Sequence, residues 1–245
     1  LNSYFQNIGY LDNRVSFEIE DDKTKSFFAD INYKVSTGPQ YYVGDVNSII
    51  ESKIIDSIYK NNIDKSFLIK NQIFRTKNFE FERDRLNRLF KNSGIYNFQI
   101  NSILFDVEID SAKNVYSLPI KVIIKDDNYK VHKIDKISVK SFNKVESLDL
   151  NSDFISNQIK FKIGSVFNDS LRTITLQNFN KLDLFSFPSI SYEYLNKSSN
   201  SLVANIILNS KKKYGIGFGL DIKQSNIEDI GVSFENRFKT RNIFK

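Results

Sequence analysis

His132 is the only histidine in the 245 residues. A Ser-His-Asp triad or a His-based metal site would have to be built on it. It stands in the alternating stretch Tyr129 to Val139, which predicts a strand, so a structural or surface role is expected. There is no Cys, which excludes disulfides, thiolate metal sites and cysteine nucleophiles. The acid pairs Asp21-Asp22 and Asp126-Asp127 carry charge suited to a cation. Neighbours on an extended chain point to opposite faces, however, so turn chemistry is the better reading. Gly215-x-Gly217-x-Gly219 lacks the third-glycine spacing and the following helix of a dinucleotide loop. Arg83, Arg85 and Arg88 with Glu80, Glu82 and Asp84 read as the solvated charged face of a helix. The net charge is +6, but the lysines lie beside acids along the whole chain, and no basic recognition module stands out. No catalytic set emerges. The chain reads as a non-enzyme without metal or cofactor, and without a nucleic-acid partner.

The elements behind these residues repeat. Leu1-Asn-Ser-Tyr4-Phe5-Gln-Asn-Ile8-Gly9-Tyr10 and Leu86-Asn-Arg-Leu89-Phe90-Lys-Asn-Ser93-Gly94-Ile95 place Leu, a large apolar residue, Phe and Gly at identical offsets. Leu86, Leu89 and Phe90 share one helical face, and Gly94 supplies the left-handed residue that ends a helix. Glu80, Glu82 and Asp84 are expected near the helix start, where the macrodipole favours acids. A third copy ends at Asp183, four residues after Phe179. Strand-like sequence follows each turn: Arg14 to Glu20, Tyr96 to Asp110, and Ser189 to Leu195. A second strand follows in each copy: Ser26 to Val35, Asn114 to Lys125, and Ser201 to Leu208. The polar links between them suit hairpins: Asp21 to Thr24, Ser111 to Lys113, and Asn196 to Asn200. Gln40 to Ile50 and Lys130 to Phe142 open the next units, and helices are predicted over Ser52 to Asn61 and Asp153 to Lys162. The unit therefore reads β-α-α-β-β, with helices covering one face of a three-stranded sheet.

From Lys213 the period changes to a strict two. Tyr214, Ile216, Phe218, Leu220 and Ile222 alternate with glycines and Asp221. Ile230, Val232, Phe234, Asn236 and Phe238 form a second such row. This pattern suits membrane barrel strands and suits equally a soluble hairpin closing the third unit. No run of 18 apolar residues is present, and Leu1 to Tyr10 lacks a signal-peptide pattern. Met is absent even at position 1, so the chain is expected to be a piece of a longer one.

The ordered set of segments resembles the BamA/TamA family of outer-membrane assembly proteins, closest to TamA-like proteins of Bacteroidota. The likeness is carried by Phe81-Glu82-Arg83-Asp84-Arg85-Leu86 through Phe90 to Phe98, by Phe105 to Asp110, by Tyr41 to Val46, and by Arg241-Asn242-Ile243-Phe244. Asp183 and Ile95 depart from the family pattern.

The resemblance implies an α+β fold of tandem POTRA-like domains followed by the first strands of an outer-membrane β-barrel. The expected divisions are a partial domain over 1–38, domains over 39–127 and 128–210, and barrel strands over 211–245. It implies an outer-membrane location with this segment mainly periplasmic. The implied partners are unfolded or nascent outer-membrane polypeptides, accessory assembly proteins, and lipid through the barrel. Family likeness also places the middle strand of each unit at a sheet edge, where an incoming chain can add as a strand. Tyr96 to Asp110 is the preferred edge, with Gln99, Asn101, Ile103, Phe105 and Val107 as the client-binding residues. A soluble or surface repeat-type binding module without a barrel is the alternative.

Overall fold

A computed structural model describes residues 1–21, 29–109, 116–141, 152–196, 199–212, 214–223 and 231–241. Several sequence expectations lie outside these: Asp22 to Thr24, Ser26 to Phe28, Asp110 to Val115, Phe142, Lys213, Ile230, and Asn242 to Phe244. The chain divides into two compact units, Leu1–Lys130 and Val131–Lys245.

The first unit opens with α1 (Asn2–Asn7) and the antiparallel hairpin β1 (Arg14–Asp21) and β2 (Ala29–Ser36). A complete β-α-α-β-β module follows: β3 (Tyr42–Ile50), α2 (Lys53–Lys60), α3 (Thr76–Asn92), β4 (Leu104–Val107) and β5 (Ser117–Ile124). Its sheet runs β3-β5-β4, with β5 central, parallel to β3 and antiparallel to β4. Buried Leu118, Ile120, Val122 and Ile124 line β5; Ile55, Tyr59, Leu86 and Phe90 come from the helices. Ser52 caps α2, its hydroxyl accepting from the Ile55 N–H.

The second unit repeats the module with β6 (Lys133–Lys140), α4 (Ser152–Gln158), α5 (Asp169–Lys181), β7 (Phe185–Tyr194) and β8 (Ser201–Ser210). Its sheet runs β6-β8-β7 with the same strand directions. Asn168 caps α5 through the Leu171 N–H. The hairpin β9 (Tyr214–Lys223) and β10 (Gly231–Thr240) follows.

The two modules agree in backbone detail. Val43 N–H donates to the Gln72 carbonyl, Asn71 N–H to Val43, and Phe74 N–H to Tyr41. In the second module Ile134 donates to Ser165, Gly164 to Ile134, and Phe167 to His132. Asn71 and Gly164 both have left-handed backbone, at φ 69° and 82°. This stitch between the first strand and the start of the second helix is a repeat that the sequence reading missed.

Four expectations need correction. Tyr96 to Asp110 is not one long strand: a 3₁₀ turn covers Ile100–Ser102 and pairing begins only at Leu104. Ile95, Phe98 and Ile103 are all buried, which alternate-facing positions along one extended strand could not achieve. The charged helix face is not wholly solvated, since Glu82 is buried with Leu86 and Phe90 on one stripe. Nor are Glu80, Glu82 and Asp84 near the helix start, because α3 begins at Thr76 and its first turn holds no acid. The helix predicted to Lys162 stops at Gln158, where the Lys160 N–H turns to the Thr175 hydroxyl and Phe161 enters the core.

Candidate functional site

The three predicted turns sit alike. Gly9, Gly94 and Asp183 are each the second residue past a helix end, at φ 96°, 100° and 53°. Gly94 N–H donates to Lys91 and Ile95 N–H to Phe90; Gly9 N–H donates to Gln6 and Tyr10 N–H to Phe5. That double closure is the Schellman cap. At the third turn Asp183 N–H donates to Asn180.

Each turn leads toward an edge strand. β4 and β7 stand at the margins of their sheets, as the resemblance implied. Of the residues expected to bind a client, only Phe105 and Val107 belong to β4. Both pack against the core; Phe105 lies 5.3 Å from the Phe79 ring and under the Arg83 guanidinium. Ile103 is buried, Asn101 lies in the 3₁₀ turn, and exposed Gln99 precedes it. Those five side chains therefore do not form one face. The open backbone edge of β4 is only four residues long.

β7 offers a longer edge of ten residues. Its inward side chains Phe185, Ile190 and Tyr192 are buried. A register shift separates Ser186 from Ser189. Within it Phe187 takes φ 49° and is 94% exposed. A bulky residue in that region is strained, and Pro188 beside it has no N–H to offer a neighbour. Ser189 to Tyr194 is therefore the regular part of this edge. The Phe-Pro pair after Ser186 was the sequence signal for the bulge.

The hairpin has two unlike faces. Ile222 pairs with Val232, Leu220 with Phe234, and Ile216 with Phe238, while Tyr214 and Phe218 complete the row. All of these are exposed, Phe218 at 79% and Phe234 at 77%. On the other face Gly215, Gly217 and Gly219 oppose Lys239, Arg237 and Glu235.

Charge gathers at the hairpin's base. The Asp183 carboxylate meets Lys211 and Lys239, with Arg241 Nε 3.6 Å away. Arg241 also donates to the carbonyls of Asp183 and Lys212, at 3.1 and 3.0 Å. Hydrogen bonds from Lys211 and Lys239 hold the Asp183 carboxyl well below the usual carboxylate range.

His132 is buried just before β6, 5.5 Å from the Tyr194 ring. Asp126 accepts from the Asn128 N–H, which is turn chemistry. Among the described residues no three His, Cys, Asp or Glu side chains cluster to hold a metal. No described helix is long and apolar enough to cross a membrane, which says nothing of strands.

No sequence-family profile matches the chain, and no curated protein sequence matches it. Solved structures do. BamA from Haemophilus ducreyi lacking POTRA domains 1–3 aligns with a TM-score of 0.55 at 13% identity, covering 82% of this chain and 35% of that one. The fold is POTRA-like. POTRA domains 3–5 of Haemophilus influenzae BamA give a TM-score of 0.48 at 12% identity, over 84% of this chain and 76% of that one. CdiB from Acinetobacter baumannii gives 0.39 at 13%, over 93% and 40%. The chain thus spans about a third of the length of the Haemophilus ducreyi protein. At such identity the likeness concerns the fold: small mixed α+β sheets of POTRA type.

Proposed function

We propose that this segment is the periplasmic, polypeptide-receiving part of an outer-membrane protein that assembles, inserts or translocates clients, with β9 and β10 as the first strands of its barrel. The observation that carries the reading is the exposed, in-register apolar face of β9–β10 directly after a POTRA-like module. Eight large apolar side chains left in water on one sheet face are costly, and lipid is the solvent that suits them. The opposite face, glycines against charged residues, suits a wet lumen. Within the family the sequence resemblance leans to the TamA-like proteins of Bacteroidota.

In this reading unfolded clients add as a strand to the module edges. Backbone hydrogen bonds give such binding affinity with little demand on sequence. The β7 edge replaces Tyr96 to Asp110 as the preferred site, because its strand is ten residues long against four in β4. Accessory assembly proteins are the other expected users of these edges. The role is binding and guidance, with no chemistry on the client.

These 245 residues hold no Trp, so once any tryptophan elsewhere in the full-length protein is replaced, single tryptophans report depth cleanly. In the full-length protein in proteoliposomes, Phe218→Trp and Phe234→Trp are expected to be quenched by lipids brominated in the acyl chain, and Glu235→Trp not. Photo-cross-linkers at Ser191 are expected to capture an unfolded outer-membrane polypeptide. Unquenched tryptophans with intact capture would leave the soluble binding module standing. Loss of capture with quenching intact would remove the β7 edge from the account.

A further inference from the structure

Gly9 and Gly94 give their turns left-handed backbone at no steric cost; the third copy uses Asp183 instead, which strains the same step. Something must compensate, and the carboxylate provides it. Lys211 leaves β8, Lys239 belongs to β10, and Arg241 follows β10. All three converge on Asp183, from 28 to 58 residues away in sequence. The backbone joins in, as Lys211 N–H donates to the Leu184 carbonyl at 2.8 Å. Both ends of the hairpin are thereby tied to the turn between α5 and β7.

We infer that Asp183 is a positioning residue, an ionic clasp that fixes the direction in which β9–β10 leaves its POTRA-like module. The clasp stands whether or not those strands enter a membrane. Arg241 is its best-sheltered cation, with 16% of its side chain exposed, whereas Asp183 is 38% exposed. A lone ion pair so exposed would hold little, but three cations on one carboxylate form a network, and Arg241 adds two bonds to backbone. Such a joint must weaken as salt screens it.

The test separates clasp from turn. Asp183→Gly restores the residue type of the other two turns and removes the carboxylate together with its Cβ; Asp183→Asn keeps the shape without the charge. The 245 residues hold no Cys, so once any cysteine elsewhere in the full-length protein is replaced, Gln177→Cys on α5 and Ser233→Cys on β10 can carry spin labels there. Wild type is expected to give a narrow distance distribution at low salt that widens at about 1 M, where screening reaches about 3 Å. Both variants should be wider at low salt, by about twofold, and insensitive to salt. The melting temperature of Asp183→Gly should not fall. A wild-type distribution in Asp183→Gly overturns the clasp, and so does a wild-type distribution that ignores salt.

Discussion

Glu82 and Arg85 form a closed ion pair inside the first complete module. Arg85 Nη2 lies 2.6 Å from Oε1 and Nε 2.8 Å from Oε2, while the Phe67 N–H donates to Oε2 and Arg85 Nη1 donates to the Asn62 carbonyl. The Glu82 side chain is 1% exposed and that of Arg85 13%. The pair thus holds the α2–α3 connection at two points, Glu82 at Phe67 and Arg85 at Asn62. Thr175 does part of this work in the second module, accepting from the Lys160 N–H and donating to the Leu171 carbonyl.

Glu82→Ala strands a sheltered guanidinium and a backbone N–H. The expected loss is about 3–5 kcal/mol for the first unit. Glu82→Gln keeps an acceptor for Phe67 and should lose less. Urea unfolding of the three proteins side by side checks the order.

Gly94→Ala puts a Cβ into left-handed backbone and should lose about 1–2 kcal/mol. Gly9→Ala should lose more than that strain alone, because its Cβ would also stand 2.8 Å from the Phe74 carbonyl oxygen and 3.2 Å from that of Tyr41. A loss of only about 1–2 kcal/mol for Gly9→Ala in denaturant titration would mean that the Gly9 turn is not held against Tyr41 and Phe74.

Tyr41 donates to the Asp12 carboxylate at 2.7 Å, and that bond with burial pushes its phenol up to about 12. A group raised on folding contributes stability that is fully present below its unfolded value, about 10, and is lost as pH rises through the folded one. The stability gap between wild type and Tyr41→Phe should therefore be constant up to about pH 10 and shrink toward about pH 12. Denaturant midpoints at the two ends of that window measure it.

Phe187→Asn should raise the stability of the second unit by about 1 kcal/mol. Asn tolerates positive φ, and a side chain 94% exposed surrenders little burial. A fall in melting temperature would show that the ring makes a contact worth more than the strain.

The sequence announced the parts whose partners lie close by. Phe90 and Gly94 mark a helix and its cap within five residues, and alternation marked β9 and β10 with their apolar faces matched. Distance along the chain hid the rest. Asp183 looked like a poor glycine until Lys211, Lys239 and Arg241 arrived from elsewhere. Glu82 looked solvated because Glu80, Arg83, Asp84 and Arg85 surround it in the sequence, and only the return of the chain at Phe67 closes it off. Tyr96 to Asp110 imitated a strand because its apolar spacing fits a turn that drops Phe98 onto Phe90, 4.8 Å away, as well as it fits alternation. The five residues expected to bind a client are thereby divided between β4 and the segment before it.

The kink at Phe187 and Pro188 bears on how crowded molecules treat one another. A straight ten-residue margin invites an identical neighbour to zip alongside it and grow into a fibre. With Pro188 lacking a donor and the register broken between Ser186 and Ser189, β7 keeps only Ser189 to Tyr194 as a regular margin, a poor template for its own full-length copy.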